Sequence, residues 1–191
     1  MEPVTLRTAR LVLSPPADDD VDAIFEACQD PLIQRYTTVP SPYERAHAEG
    51  FVEKTRGWWE SGSEATWAVR VDGRLGGMVG LHRMGTGSGS AELGYWMAPG
   101  FRRGGFLTEA CRPIIDFGFS PDGFDLVRLD WRAVAGNEAS ARAARRLGFR
   151  YEGTMREALV NGAGVRADGW VAGLLRTDER TPQAWPVLGD V

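Results

Sequence analysis

Cysteine and histidine are scarce in this 191-residue chain, with two of each. Cys28 and Cys111 lie far apart, His47 and His82 are the only imidazoles, and no metal-ligand spacing results. No resident metal is therefore expected, and both thiols read as reduced core side chains. A basic excess is also missing. The net charge is −4 and the isoelectric point is near 5.3, so no general field exists to hold nucleic acid or an anionic membrane. Any cationic site has to be local. No apolar run approaches a membrane span, and the opening MEPVTLRTARL has no signal-peptide core, so a cytoplasmic protein with no membrane partner is expected. Two phosphate-binding signatures are absent as well. No Gly-Lys-Ser/Thr follows a glycine loop and no G-x-G-x-x-G occurs, which excludes a nucleotide triphosphate loop and a dinucleotide fold.

What is present suits one α/β domain over residues 1–191, with 177–191 as a proline-bearing tail; 43% of residues are hydrophobic, enough for one buried core. Residues 6–13 read as a first strand stopped by Ser14-Pro15-Pro16. Asp18-Asp19-Asp20 then cap a helix whose Val21, Ile24, Phe25 and Cys28 recur at helical spacing. Ser41-Pro42-Tyr43-Glu44 has the form of a capping box, predicting a second helix toward Trp58, with 32–40 as the connection between the helices. Trp58 and Trp59, at a helix end, read as packing. Segments 66–71 and 75–81 form a hairpin about Asp72-Gly73, and GTGSGS at 85–90 is a loop. Residues 126–134 alternate as another strand. Segments 151–160 and 165–175 make a last hairpin around Asn161-Gly162-Ala163-Gly164.

The densest information lies in AELGYWMAPGFRRGGFLTEA, residues 91–110. Positions 92–97 alternate as a strand, Pro99-Gly100 ends the ladder, and a helix over 106–119 follows. Between them, Arg102-Arg103-Gly104-Gly105-Phe106-Leu107-Thr108 lets the backbone turn its N–H groups to one point at a helix N-terminus, which makes an anion nest. A second pattern follows. Asn137-Glu138-Ala139-Ser140 opens an alanine- and arginine-rich helix, and Leu147-Gly148-Phe149 closes it into a strand.

This combination resembles the GCN5-related N-acetyltransferases (GNAT), whose acyl-CoA loop reads R/Q-x-x-G-x-G/A at the same junction; Arg102 and Gly105 match it. The similarity is closest to the ribosomal-protein alanine acetyltransferase (RimJ/RimL) branch, through Gly94-Tyr95-Trp96, Thr108-Glu109-Ala110, the N-x-x-S helix and Glu152-Gly153. Arg103 and Leu107 depart from that branch, which has glycine and a small residue there. The resemblance implies a mixed, mostly antiparallel sheet of about seven strands with helices on both faces. It implies acetyl-CoA as cosubstrate and transfer of acetyl to a primary amine, on a protein N-terminus or a small molecule, by direct attack. Another acyl group such as succinyl, or a non-catalytic acyl-CoA sensor, stands as the alternative. Family members often pair, so a homodimer is also implied.

By the same resemblance, backbone groups of Trp96, Met97 and Ala98 hold the pantetheine arm and thioester oxygen, while Arg102, Arg103, Gly104, Gly105, Phe106, Leu107 and Thr108 hold the pyrophosphate. Arg35 and Tyr36 face the acceptor. Glu92 either accepts the amine proton or is a solvated strand-end acid. Ser140 either caps its helix or reaches the leaving thiolate, and Asn137 caps or bonds the pantetheine amide. Cys111, on the core side of its helix, is a poor nucleophile.

Overall fold

The computed structural model describes residues 1–84, 87 and 89–189. Gly85, Thr86 and Ser88 of the expected 85–90 loop, and the last two tail residues, lie outside the described residues. Eight strands form one sheet in the order β1-β2-β3-β4-β5-β6-β8-β7. They are β1 (Leu6–Arg7), β2 (Leu11–Ser14), β3 (Ala65–Val71), β4 (Arg74–His82), β5 (Ser90–Met97), β6 (Arg128–Val134), β7 (Arg150–Val160) and β8 (Arg166–Leu175). All neighbours are antiparallel except β5 and β6. This fits the expected sheet of about seven strands, the eighth arising because residues 6–13 do not run straight. The Thr8 hydroxyl accepts the N–H groups of Arg10 and Leu11 at 3.3 and 3.0 Å, which folds the segment into the β1–β2 hairpin.

Among the described residues, five α-helices cover the sheet: α1 (Val21–Ala27), α2 (Pro31–Tyr36), α3 (Arg45–Ser61), α4 (Phe106–Phe119) and α5 (Glu138–Arg146). Leu11, Leu13, Trp67, Val79, Leu93 and Leu129 point to the face that receives Ala110, Cys111 and Ile114 of α4 and Ala141 of α5. The opposite face of β3 and β4, at Ala68 and Met78, takes Val21 and Ile24 of α1 and Val52 of α3. Covered on both sides, β3 loses its alternation and is buried along nearly its whole length.

Three local expectations need correction. The 32–40 connection contains α2, because Asp30 accepts the N–H groups of Leu32 and Ile33 at 3.1 and 3.0 Å and Pro31 holds the first helical position. The box opening α3 is Glu44 with His47, whose Nδ1 accepts the Glu44 N–H at 3.0 Å, so Ser41 is not the cap. The acidic triplet forms a 3₁₀ turn, and Asp20 pairs with Arg70 at 2.7 Å through both oxygens, tying that turn to β3. The tail is anchored. Trp185 is 2% exposed and donates to the Phe149 carbonyl at 3.1 Å, an enclosure contributing about 2–3 kcal/mol. Trp59 is likewise buried, edge-on to Trp67.

Candidate active site

Strands β5 and β6 pair over three positions only: Ser90 with Arg128, Ala91 with Leu129 and Glu92 with Asp130. Beyond these, β5 continues along β4 as far as Met97 opposite Gly77, while β6 continues along β8 as far as Val134 opposite Gly169. The sheet therefore parts between two parallel strands and exposes two unpaired edges. Ala98 N–H donates to the Gly76 carbonyl at 2.9 Å. By antiparallel alternation Trp96 also turns its amide to β4, and Tyr95 and Met97 turn theirs into the gap. Of the three expected backbone donors, Met97 is the one that faces the opening. Ala98 and Trp96 are corrected on this point, and Tyr95 takes their place.

Below the gap the chain turns through Arg103 at φ 65° and Gly105 at φ 77° into α4. No side chain caps this helix, and among the described residues no backbone acceptor meets the N–H groups from Arg103 to Thr108. These are the unsatisfied donors of a helix start, gathered at its positive end. Gly104 has no room for more: a Cβ there would lie 2.6 Å from the Phe106 ring. Arg102 is placed differently from expectation. Its N–H goes to Pro99 at 3.3 Å, its Nε to the Met97 carbonyl at 3.0 Å and its Nη2 to Asp30 at 2.7 Å. The side chain braces the turn against α2, and Arg102 is not among the nest's free donors. Burial acts upward on the Asp30 carboxyl, but the Arg102 bond, the Leu32 and Ile33 amides and the Arg102 charge outweigh it and hold it below its ordinary range.

Arg10, which the sequence reading missed, supports the nest from the β1–β2 hairpin. Its Nε bonds Glu109 at 2.7 Å, its Nη2 reaches the Gly104 carbonyl at 3.3 Å, and its guanidinium lies 4.6 Å from the Phe106 ring centre. Thr8 donates to the same Glu109 at 2.5 Å. The hairpin thus grips the first turn of α4 and holds one carbonyl of the glycine pair.

On the α4–α5 side of the gap, Ser140 does not cap its helix; Asn137 does, accepting the Ser140 N–H at 3.3 Å. The freed Ser140 hydroxyl donates to the Tyr95 phenol oxygen at 3.2 Å, Tyr95 donates to the Ser140 carbonyl at 3.0 Å, and Trp131 Nε1 reaches both hydroxyl oxygens at 3.0 and 3.2 Å. Burial pushes the Tyr95 phenol up, so it stays protonated at neutral pH. Glycine-tyrosine at 94–95 was visible in sequence; that its hydroxyl crosses the gap to α5 was not. Cys111 is fully buried, and burial raises its thiol as well.

The other face carries Glu92, at the last paired position. Its Oε2 is buried and accepts no hydrogen bond among the described residues; Arg83 Nη1 and Arg132 Nε form ion pairs with it, both at 3.6 Å. Arg35 and Tyr36 end α2, with the guanidinium 5.2 Å from the Tyr36 ring centre. The β7–β8 turn meets them: Asn161 donates to the Arg35 carbonyl at 3.3 Å and Gly162 to the Thr37 carbonyl at 3.2 Å. A Cβ at Gly162 would fall 1.6 Å from the Val39 carbonyl oxygen, so only glycine allows this approach. Among the described residues, no group of three or more potential metal-ligating side chains occurs.

A sheet parted between parallel strands, above a glycine turn with free amides, is the framework of an acyl-transfer enzyme. Residues 10–150 match the acetyltransferase (GNAT) domain, and the chain belongs to that family, as an N-acetyltransferase. YdaF of Bacillus subtilis, provisionally named a ribosomal N-acetyltransferase, is 41% identical over 92 residues, which is 48% of this chain and 49% of YdaF. The match thus spans about half the length of that relative. YoaA of the same organism, an uncharacterized N-acetyltransferase, is 29% identical over 80% of this chain and 86% of its own. In fold, the chain is similar to RimL, a ribosomal α-N-protein acetyltransferase solved with coenzyme A (TM-score 0.78, 18% identity, 90% of this chain and 98% of that one). No helix among the described residues is long and apolar enough to cross a membrane.

Proposed function

We propose that the chain moves acetyl from acetyl-CoA to the α-amine of a protein N-terminus. The observation that carries the reading is the parting of β5 from β6 after Glu92, which leaves Tyr95 and Met97 amides facing a gap that ends on the unbonded amides preceding α4. That series of donors fits a long, amide-bearing, phosphorylated thioester: phosphates at Arg103 to Thr108, the pantetheine arm past Asn137, and the thioester carbonyl against the Met97 amide. The CoA structure of RimL and the ribosomal name of YdaF support cosubstrate and acceptor class.

In this reading, Glu92 takes a proton from the incoming ammonium, directly or through water. The amine nitrogen then forms its bond to the thioester carbon and the carbon–sulfur bond breaks. The nitrogen sheds its second proton, which passes by way of the Ser140 hydroxyl to the thiolate, while Tyr95 and Trp131 hold that hydroxyl in place. The products are an amide and a free thiol, with no covalent enzyme intermediate. Arg35 and Tyr36, joined to the β7–β8 turn, border the acceptor's path.

Thiol release from acetyl-CoA over a panel of peptides, aminoglycosides and simple amines tests this. Peptides should react at their α-amines. Binding of acetyl-CoA without thiol release from any amine would favour a sensor, and faster release from succinyl-CoA would reassign the acyl group.

A further inference from the structure

The acyl-transfer reading leaves two cations on the amine side without a task. Arg83 follows β4, and Arg132 projects from β6 on the same face as Glu92 and Asp130. Each guanidinium stands 3.6 Å from Glu92 Oε2, beyond hydrogen-bond range. Neighbouring acids are paired differently. Arg128 bonds Asp130 at 2.8 Å and Glu152 at 2.7 Å, and Glu64 contacts His82 at 2.7 Å. The adjacent carboxylates therefore have close partners. Among the described residues, no hydrogen-bonding acceptor occupies the side chain of either Arg83 or Arg132.

Both arginines border a cavity of about 150 Å³, together with Ser90, Ala91, Glu92 and Asp130. At about 30 Å³ per water, that is room for roughly five waters, or one short acidic side chain. Among the described residues, its wall presents one carboxylate oxygen that accepts no hydrogen bond and two guanidiniums that meet it only as 3.6 Å ion pairs. A lone ammonium approaching Glu92 meets two cations flanking its target. An ammonium that brings its own carboxylate meets a complement: the amine on Glu92, the carboxylate in the arginine fork.

We propose that Arg83 and Arg132 form an acceptor subsite for a carboxylate carried one or two residues from the reacting amine, so that the preferred acceptor is an acidic peptide N-terminus. This rests on the acyl-transfer reading and specifies its substrate. A neutral side chain in the same place would offer the half-buried Arg132 guanidinium no acceptor beyond its 3.6 Å ion pair with Glu92, which is how a polar site disfavours an isostere lacking the matching group.

The test uses two peptides identical except for Asp or Asn at the second residue, with thiol release from acetyl-CoA as readout. The Asp peptide should exceed the Asn peptide by about tenfold in kcat/KM, mainly through KM, and the ratio should shrink as salt screens the pair. In Arg132→Gln the ratio should fall toward one, with Arg132→Lys retaining part of it. Arg83→Gln should do less, since that side chain is 65% exposed. Equal rates for the two peptides in the unaltered protein, or an undiminished ratio in the Arg83→Gln/Arg132→Gln double variant, would overturn the subsite. Should no peptide release thiol, the acyl-transfer reading is what fails. Calorimetric titration of the same two peptides then decides the subsite on its own, with equal affinities rejecting it.

Discussion

Replacing Tyr95 with phenylalanine keeps the ring and deletes one oxygen that three bonds share. In the intact protein that oxygen donates to the Ser140 carbonyl at 3.0 Å and accepts from Trp131 Nε1 at 3.0 Å and from the Ser140 hydroxyl at 3.2 Å. Trp131 keeps its second partner, the Ser140 Oγ at 3.2 Å, so no indole N–H is orphaned. The net loss is then one to two ordinary hydrogen bonds, about 1–2 kcal/mol, or a fall in Tm of roughly 2–8 °C for a chain of this size. Turnover should suffer more. If Ser140 passes a proton to the leaving thiolate and Tyr95 holds the Ser140 hydroxyl in place, Tyr95→Phe should lower kcat by about tenfold to a hundredfold while leaving the acceptor KM near its original value. Ser140→Ala keeps the 3.0 Å Trp131–Tyr95 bond and should cost about 1 kcal/mol of stability with a similar fall in kcat. Because the Tyr95 oxygen acts only through the Ser140 hydroxyl it holds, the double variant should be no slower than the worse single one. The assay is steady-state thiol release beside thermal unfolding of all four proteins. Two single effects on kcat that multiply in the double variant, or a Tyr95→Phe enzyme with full turnover, would refute this coupling and leave these hydroxyls as packing.

Three further outcomes follow from the same geometry. Gly105→Ala forces a side chain to φ 77°, costing about 1–2 kcal/mol, yet its Cβ would meet only Arg10 Nη2 at 3.7 Å; the variant should fold and lose roughly tenfold in calorimetric CoA affinity, while Gly57→Ala, with nothing within 4 Å, should not. For Glu109, burial acts upward, but the Thr8 hydroxyl bond and the Arg10 guanidinium outweigh it and the carboxyl is held low; its contribution is therefore complete above the ordinary carboxylate value of about 4.3 and lost as pH falls through the lower folded value. Hydrogen-exchange protection of the first bonded amides of α4, from Glu109 onward, should stay level from neutral pH down to about that value and drop below it, and Glu109→Gln should show the weakened clamp at neutral pH. Glu92→Gln keeps shape but takes no proton, so turnover should fall on the order of a hundredfold with CoA affinity intact; the deficit should narrow as pH rises past the acceptor's α-amine pKa of about 8, and wild-type turnover at every pH would assign proton removal to solvent.

Much of this was legible in residue order because the responsible physics is local. The α4 boundaries, Phe106–Phe119, coincide with the expected 106–119: glycine supplies a start that side chains cannot, and the apolar spacing supplies the face. Asp72-Gly73 turned the chain as expected, with φ 49° and 76°. What failed depends on partners far away in sequence. Arg102 looked like a phosphate ligand until Asp30, 72 residues earlier, was seen to hold it. Arg10 looked like a strand residue until Glu109, 99 residues later, was seen beside it. Tyr95 could be placed on a strand, but its link to Ser140 requires knowing that β5 and β6 part and that α5 approaches the gap. Neither composition nor periodicity encodes that meeting.

In the proposed reaction, the parity of β5 separates the two halves. Residues 91, 93, 95 and 97 face α4 and α5, and residues 92, 94 and 96 face the side bordered by α2 and the β7–β8 turn, because successive side chains alternate. Glu92 and Tyr95 differ by an odd number of positions and must lie on opposite faces of one strand. A base and a proton donor so placed cannot quench each other, and they communicate only through whatever fills the gap. An amine deprotonated on the Glu92 face and a thiolate protonated on the Tyr95–Ser140 face are then the two ends of one displacement. The gap opens immediately after Glu92, and Arg102 ties the Met97 carbonyl at its far end to Asp30 at the start of α2. The helix that borders the acceptor's path is thus anchored to the turn that would hold the phosphates. On the proposed reaction, loss of the Arg102–Asp30 pair should therefore weaken acceptor binding as well as CoA binding, and an Arg102→Gln variant with both affinities unchanged by calorimetry would reject that link.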